Sequence, residues 1–241
     1  MKIISHETGY TVENNKKHIM NIQTSRNPNH IRNCYIDFDP YDMRGEINTK
    51  IFDLISDTEK SPLQAMVNSH ERKKIKLLSK GGFKKVRVCH EMEVMKDELR
   101  NDISPQSSEL LKTTRGELEY IQCCELLFKY YKETHESINP LSASFESFID
   151  DIPNDVLYDK DKNGIKHVAF IEENEIAYVC SNDEATFESF LHAVASEMFL
   201  SNDFIYFEAD DVDWCGMALK NLFTIEVPET FDTWLFEGKW M

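Results

Sequence analysis

The chain has no apolar run long enough to cross a bilayer, because no stretch approaches the ~20 consecutive apolar residues that a membrane-spanning helix needs. Its first fifteen residues, MKIISHETGYTVENN, are too polar to resemble a secretory signal peptide. We therefore expect a soluble, cytoplasmic protein without a membrane partner.

The cysteines lack every spacing that would indicate a zinc site. There are six, none of them forms a CxxC pair, and no set of cysteines and histidines has the spacing of zinc ligands. Cys123 and Cys124 are neighbours in a predicted helix, where a disulfide between them would be geometrically poor. The sequence therefore predicts buried, reduced thiols and no bound metal.

Basic residues are scarce in the second half of the chain. The whole sequence has 27 basic and 43 acidic residues, for a formal net charge of −16. Residues 150–241 hold 5 of the basic and 21 of the acidic residues, which accounts for all of that charge. Because such a half would repel phosphates, we expect no DNA or RNA partner.

One stretch of the first half has a clear local pattern, PLQAMVNSHERKKIKLLSKGGFKKVRVCHEMEV. Pro62 to Val67 is a short apolar run typical of a buried strand. Asn68 followed three residues later by Glu71 is close to a capping box and predicts the start of a helix. Gly81 or Gly82 can end that helix, and residues 83–94 alternate as a second strand. The unit is strand, helix, strand.

The helix of this stretch is strongly basic on one side. Ile75 and Leu78 lie three residues apart on the predicted inner face. The run from Arg72 to Arg87 contains eight basic and no acidic residues, which suits either an anion-guiding patch or a solvated helix face. The residues expected to lie in water are Arg72, Lys73, Lys74, Lys76 and Lys80.

The same pattern of elements is predicted on both sides of a linker. Residues 101–116 are rich in proline, serine and threonine, and we place a boundary there between lobes at 1–100 and 117–241. Strands separated by single helices predict parallel pairing in an α/β sheet. The predicted strands are 33–39, 62–67, 83–94, 167–171, 175–180, 204–208 and 231–236, and the predicted helices are 47–56, 68–80, 117–133, 145–150, 187–199 and 213–222.

The segment LQAMVNS…KIKLLSKGGFKKVRVCHEMEV resembles the fifth strand, fourth helix and sixth strand of the GNAT (Gcn5-related N-acetyltransferase) superfamily. The resemblance includes Asn68 after the strand and the Gly82–Phe83 pair at the end of the helix. FIYFEADDVDWCGMALKNLF followed by TFDTWLF is more distantly similar to the same unit. The resemblance implies an α/β fold of tandem GNAT-like (acyl-CoA N-acyltransferase-like) lobes, each with a mixed central sheet flanked by helices.

The resemblance also implies a cofactor, acetyl-CoA or another acyl-CoA. Family members bind its pyrophosphate through a Gln/Arg-x-x-Gly-x-Gly/Ala loop at a helix N-terminus, where backbone N–H groups and the helix dipole favour phosphate. PYDMRGEIN keeps Arg44 and Gly45 of this pattern but continues with Glu46. We therefore predict Arg44, Gly45 and Asn68 as cofactor-binding residues.

The second half departs further from the family pattern. SNDEATFE places Asp183 and Glu184 where the pyrophosphate would lie, and their charge opposes its binding. Many relatives also have a tyrosine before the glycine–phenylalanine pair that protonates the leaving thiolate. That position falls near Leu78 in the first half and near Ala218 in the second, so a general acid would have to be another group or solvent.

Three residues are candidates for acid–base chemistry on an acceptor amine. Glu208 and Asp210 belong to the run EADDVD at the end of a predicted strand, where open α/β sheets bind ligands. The alternative for this run is that Asp211 or Asp213 caps the following helix. His70 is the third candidate, beside Asn68 at another strand end.

Two classes of function fit these features. The first is an acyltransferase that moves an acetyl or acyl group from CoA to an amine of a small molecule or peptide. The second is a catalytically silent GNAT-like module for ligand sensing or protein binding, which the altered phosphate loop and the missing tyrosine favour. The acceptor, the acyl group and homodimer formation stay open.

Overall fold

The computed structural model describes residues 1–42, 50–102 and 110–240. Contacts divide the chain into two compact units, each built from several segments. Unit 1 comprises Met1–Val88, His135–Ala143 and Glu229–Met241, and unit 2 comprises Cys89–Thr134 and Ser144–Pro228. Since residues 103–109 of the predicted linker lie outside the described residues, the boundary at 101–116 stays a prediction.

The described residues form twelve strands and six α-helices, with a short 3₁₀ turn at Lys96–Glu98. The strands are β1 (Lys2–His6), β2 (Gly9–Asn14), β3 (Lys17–Asn27), β4 (His30–Asp37), β5 (Leu63–Asn68), β6 (Lys84–Met95), β7 (Leu111–Thr114), β8 (Asp155–Asp161), β9 (Gly164–Glu172), β10 (Glu175–Ser181), β11 (Phe204–Asp210) and β12 (Phe231–Phe236). The helices are α1 (Lys50–Glu59), α2 (Arg72–Lys80), α3 (Leu118–His135), α4 (Phe145–Asp150), α5 (Glu184–Met198) and α6 (Trp214–Lys220).

Unit 1 is built on a mixed sheet in the order β1-β2-β3-β4-β5-β12, followed by the first residues of β6. Strands β1 to β4 form an antiparallel meander, β4 and β5 are parallel, and β12 lies antiparallel to β5. On β5, Leu63, Ala65 and Val67 alternate into a core that also contains Phe52 of α1 and Leu78 of α2. This α/β architecture confirms the predicted fold class.

The strands of unit 2 follow the order β6 (its remaining residues), β11, β10, β9, β8 and β7. Only the β10–β11 pair is parallel among the strand pairs described there. Helices α5 and α6 bury Phe187, Phe190, Leu191 and Cys215 against one face of this sheet. The helical spacing of those apolar residues is the signal that predicted α5.

Helix α2 differs from its prediction in two respects. It begins at Arg72 rather than at Asn68, because the Asn68 side chain accepts a hydrogen bond from the His70 backbone N–H (3.1 Å) and forms a turn before the helix. Lys74 was also expected in water, yet its side chain is only 8% exposed. The Gly81–Gly82 pair ends the helix as predicted, and Gly82 has a φ of +89°.

All six cysteines are buried and free, in agreement with their predicted role as structural thiols. Burial raises the pKa of Cys34 to about 12 and that of Cys124 to about 11. Within the described residues, no helix is long and apolar enough to span a membrane.

Candidate functional site

The two parallel strands of unit 1 separate after a short paired region. Strands β4 and β5 share only the pairs Cys34↔Leu63 and Tyr35↔Gln64. Beyond them, the described residues of β4 and β5 form no further pairs with each other, although β3 and β12 still pair on the outer sides. The backbone groups that line the gap are therefore left for a ligand or solvent.

A cavity of about 640 Å³ lies at this gap. Tyr35 and Asp37 of β4 and Met66 of β5 line it, together with Phe231 of β12 and short polar side chains of β3. The pairs Tyr35↔Gln64 and Met66↔Thr233 place these side chains on the sheet face away from Leu63, Ala65 and Val67. Most of the lining side chains are polar or charged, and Ile36, Met66 and Phe231 add apolar surface. Such a mixture can contact both the amides and the methylene groups of an elongated ligand.

Lys74 reaches the cavity from α2. Its Nζ lies 2.5 Å from Asp37 Oδ1, and its side chain is 8% exposed whereas that of Asp37 is 66% exposed. The Phe38 ring centroid is 5.7 Å from the same Nζ. A buried ammonium needs a carboxylate partner, because leaving its charge unpaired would cost several kcal/mol of desolvation.

Tyr35 is positioned by the segment His135–Ala143, which contacts β4. The side-chain amide of Asn139 donates to the Tyr35 hydroxyl (3.0 Å), and the Asn139 carbonyl accepts from His30 Nδ1 (2.7 Å). The side-chain amide of Asn33 donates to Gln64 Oε1 (3.0 Å) and to the Ile138 carbonyl (2.9 Å). Since the Tyr35 oxygen acts as acceptor, its own O–H can donate to a further group.

In unit 2, the parallel strands are β10 and β11, and a tyrosine side chain lies at the N-terminus of the helix that follows β11. Strands β10 and β11 pair in parallel only at Glu175↔Tyr206. Tyr130 of α3 donates from its hydroxyl to Asp213 Oδ1 and accepts from the Cys215 backbone N–H (3.3 Å). The Tyr130 ring also packs against the core formed by α5 and α6. A side chain of the protein itself therefore lies at the α6 N-terminus.

Burial is the main electrostatic influence on this pair. It raises the pKa of Tyr130 far above its ordinary value, and the nearby Asp213 charge adds to the effect. Burial also raises the pKa of Asp213, while the hydrogen bond from Tyr130 acts in the opposite direction. The Tyr130 hydroxyl therefore keeps its proton and donates it in a hydrogen bond to Asp213.

The start of α5 is closed by charged side chains rather than open to an anion. The Asp183 carboxylate accepts from the Ala185 backbone N–H (3.1 Å) and pairs with Lys166 Nζ (2.9 Å). The hydrogen bond from Lys166 is the largest cause that lowers the pKa of Asp183 to about 2. An anion at this helix end would therefore face an ionised carboxylate.

Two of the predicted site residues, Asn68 and His70, lie together in the turn between β5 and α2 of unit 1. Asn68 is half-buried, and its backbone N–H donates to the Glu71 carboxylate (3.3 Å). His70 is exposed, with Nδ1 3.8 Å from Glu229. Arg44 and Gly45 lie outside the described residues. Asn68 therefore ends a strand beside the gap, whereas His70 points to solvent, and the assigned roles stay predictions.

Glu208 and Asp210 lie two residues apart on β11 of unit 2, and hence on one face of its sheet. Glu208 is exposed and lies opposite Glu91, and it accepts from the Tyr206 hydroxyl at 3.5 Å. The following helix is capped by Asp213, whose side chain accepts from the Cys215 N–H (2.9 Å). The capping alternative is thus right for Asp213, and the catalytic roles of Glu208 and Asp210 stay predictions.

Lys74, Tyr35 and Tyr130 were not predicted from the sequence as functional residues. Lys74 precedes Leu78 by four residues, so both lie on one face of α2, and this spacing was the available signal. No comparable local signal marks Tyr35 or Tyr130, since their partners are distant in sequence. Within the described residues, no group of three or more His, Cys, Asp or Glu side chains is arranged to hold a metal ion.

No family model and no curated protein matches the chain by sequence. Among solved structures, a GCN5-related N-acetyltransferase from Sphaerobacter thermophilus is similar over 95% of this chain and 80% of its own, with 11% identity and a TM-score of 0.54. A tandem GNAT protein from the clavulanic acid biosynthesis pathway is similar over 96% of this chain and 83% of its own, with 8% identity and a TM-score of 0.50.

The chain has the GNAT fold. A conserved protein from Enterococcus faecalis V583, described as a probable N-acyltransferase, is a further similar structure, with 9% identity and a TM-score of 0.54 over 96% of this chain and 62% of its own. The GNAT fold agrees with the expectation drawn from Asn68 and the Gly82–Phe83 pair.

Proposed function

We propose that the protein is an N-acyltransferase that transfers an acyl group from acyl-CoA to an amine, and that the gap between β4 and β5 in unit 1 binds the acyl-CoA. The observation that carries this proposal is the cavity of about 640 Å³ at the point where these two parallel strands separate. The similarity to GNAT structures supports the proposed enzyme class, and the cavity supports the proposed location.

The gap suits an extended thioester with amide groups along its length. Backbone N–H and C=O groups of β4 and β5 that face the gap can pair with the amides of the pantetheine arm. A backbone N–H in the same place can stabilise the oxyanion that forms when an amine attacks the thioester carbonyl. The protein would then contribute mainly orientation and electrostatic stabilisation.

The residues proposed to hold the cofactor come from two sources. Asn68 ends β5 beside the gap and can offer its side chain to the pantetheine arm. Arg44 and Gly45 are proposed from the sequence alone, as the residues that approach the pyrophosphate, and Glu46 would weaken that contact. The acceptor is proposed to be an amine of a small molecule or peptide.

We further propose that unit 2 does not bind acyl-CoA. Asp183 caps α5 with an ionised carboxylate where a phosphate would need a donor. Tyr130 and Asp213 also occupy the start of α6. These features favour a structural role for unit 2, and they are the specific observations that keep a catalytically silent module as the second candidate.

Acyl-CoA binding tests the proposal directly. A thermal-shift panel with CoA, acetyl-CoA and longer acyl-CoAs is expected to raise the unfolding temperature for at least one acyl-CoA, because a ligand that binds only the folded state must stabilise it. Arg44→Ala should weaken the binding measured by calorimetry about 10- to 100-fold, the equivalent of one charge-assisted contact. Lys73→Ala, which removes a charge from an exposed helix position, is the matched control.

The outcome also separates the two candidate functions. Glu46→Gly should tighten acyl-CoA binding, because it removes a repulsive charge from the phosphate loop. If calorimetry detects no acyl-CoA binding to the wild type or to Glu46→Gly, the enzyme proposal fails and the silent module becomes the better account.

A further inference from the structure

Lys74 has an environment that structural requirements alone do not explain. Its ammonium lines the cavity of unit 1, yet the side chain belongs to the buried face of α2 beside Leu78. Burying an ammonium is costly even when it has a carboxylate partner, and an apolar residue of the same volume is often at least as stabilising. A purely structural position at this point of α2 would therefore be filled better by leucine or methionine.

The Lys74 ammonium has three N–H groups that can donate hydrogen bonds. One N–H group donates to Asp37 Oδ1 at 2.5 Å, and no other hydrogen-bond acceptor for Nζ is found among the described residues. The acidic and phenolic groups around it are Asp37 and Tyr35 of β4 and Glu71 just before α2, all of which line the same cavity. Among the described lining residues, Lys74 is the only cation.

We propose that Lys74 stabilises the thiolate that leaves when the thioester is cleaved, and that it supplies the proton of the product thiol. This inference rests on the proposed function. Leu78 lies near the position where many relatives have the tyrosine that acts as general acid, but its side chain has no proton to give. Lys74 lies one helical turn before Leu78 on the same helix and would take this role.

The acceptor amine forms a C–N bond to the thioester carbonyl carbon, and the C–S bond breaks with its electron pair going to sulfur. The Lys74 ammonium gives one proton to that sulfur and forms the thiol. The nitrogen of the new amide releases one proton, which the exposed Asp37 carboxylate accepts and returns to Lys74.

Asp37 is a positioning residue in this scheme before it is a proton carrier. Its carboxylate holds Nζ at the cavity by pairing with it. Because 66% of its side chain is exposed, it can also reach an amine that enters from solvent. The neighbouring Lys73 instead lies over the Tyr41 ring, with 4.0 Å between Nζ and the ring centroid.

The test compares CoA with desulfo-CoA, which lacks the sulfur. For the wild type, we expect CoA to bind more tightly than desulfo-CoA, with the ratio of the two affinities increasing as the pH is raised through the thiol pKa. The ultraviolet absorbance of bound thiolate should appear at lower pH than for free CoA. Lys74→Met should reduce the affinity ratio at high pH about 10-fold or more, since it removes a charge-assisted contact.

Two further variants complete the test. Lys73→Met should keep the wild-type ratio. Lys74→Arg should keep a lowered thiol pKa but lose turnover at least 10-fold, because arginine retains the charge and does not release a proton. This variant also decides the question if Lys74→Met does not fold.

Three results would overturn the proposal. They are an unchanged CoA to desulfo-CoA ratio in folded Lys74→Met, an unshifted thiol pKa in the wild type, and full turnover by Lys74→Arg. If the wild type binds no acyl-CoA at all, the proposed function itself fails, and the Lys74 proposal fails with it. Binding without a Lys74 effect contradicts only the second proposal.

Discussion

Buried polar side chains determine much of the chemistry of this protein at the scale of single residues. Lys74, His167 and Tyr130 each place a polar group among apolar neighbours, and each is satisfied by a specific partner. Their burial is invisible in the local sequence, because a charged or polar residue is by default expected at the surface. This is why Lys74 was wrongly placed in water.

His167 should make stability depend on pH. Burial is the largest cause that lowers its pKa from 6.5 to about 4 in the folded state, although its ring nitrogens contact Ser181 (2.7 Å) and Thr186 (2.8 Å). The unfolded chain therefore binds more protons below pH 6.5. The contribution of neutral His167 to the free energy of unfolding is complete above pH 6.5 and is lost as the pH falls towards 4. The loss is on the order of 3 kcal/mol.

Urea unfolding at pH 7 and pH 4.5 checks this expectation. His167→Gln keeps hydrogen-bonding groups at the site but does not titrate, so its stability should fall less between the two pH values than that of the wild type. Asp183 also makes stability fall at low pH, since its pKa is lowered to about 2, but this loss is the same in the wild type and in His167→Gln. Equal losses in the two proteins would contradict the assignment.

Tyr130 should stabilise unit 2 more than Tyr120 does, although both lie on α3. The Tyr130 hydroxyl donates to a half-buried carboxyl group, Asp213, whereas the Tyr120 hydroxyl donates to the neutral Pro153 carbonyl (2.9 Å). We expect Tyr130→Phe to cost about 1.5–3 kcal/mol and Tyr120→Phe about 0.5–1.5 kcal/mol of unfolding free energy. Chemical denaturation of the two variants measures the difference, and a larger loss for Tyr120→Phe would contradict it.

At the scale of elements, strongly periodic segments were predicted well. The limits of α4 and β12 agree with the sequence prediction, and β5, β6, β9, β10 and α5 differ at their ends by a few residues. Strands β1, β2 and β3 were missed because they contain many charged and amide side chains, which make the segment look like a surface loop, although Gly9 marks the turn between β1 and β2. Strand β8 was missed for a similar reason. Such strands become visible only through their partners in the sheet.

The last strand is the element whose position the sequence could least specify. Strand β12 follows unit 2 in the chain but pairs with β5 of unit 1, from Phe231↔Asn68 to Phe236↔Leu63. Asp232 is buried there and pairs with Lys85 at 3.1 Å. No local pattern tells a strand which of two similar partners it will join.

Deleting residues 229–241 should therefore damage unit 1 selectively. The truncated chain loses every β12 pair with β5 and the Phe236 ring, which lies 5.3 Å from the Phe83 ring between their centroids. Hydrogen exchange should reveal lost protection in β5 and retained protection in β8 and β9. Equal protection of β5 in the full and truncated chains would contradict this role of β12.

At the scale of the whole molecule, charge and fold limit the function more than they specify it. The net charge of −16 predicts no appreciable affinity for DNA or RNA at physiological salt. Fluorescence anisotropy with labelled DNA and RNA checks this, and a steep salt-dependent signal would contradict it.

The GNAT-type order of elements was predictable from the pattern around Asn68 and the Gly82–Phe83 pair, whereas the cavity was not, since residues from four strands and one helix meet there.

Calorimetric titration of acetyl-CoA into two matched tryptophan variants tests whether the gap between β4 and β5 binds the cofactor. Met66 of β5 and Glu208 of β11 each lie six residues before the first residue of the following helix, so they are equivalent positions in units 1 and 2. We predict that Met66→Trp, which fills the unit 1 cavity, loses acetyl-CoA binding at least 10-fold, while Glu208→Trp binds like the wild type. Retained binding by folded Met66→Trp together with lost binding by Glu208→Trp would contradict the placement of the cofactor in unit 1.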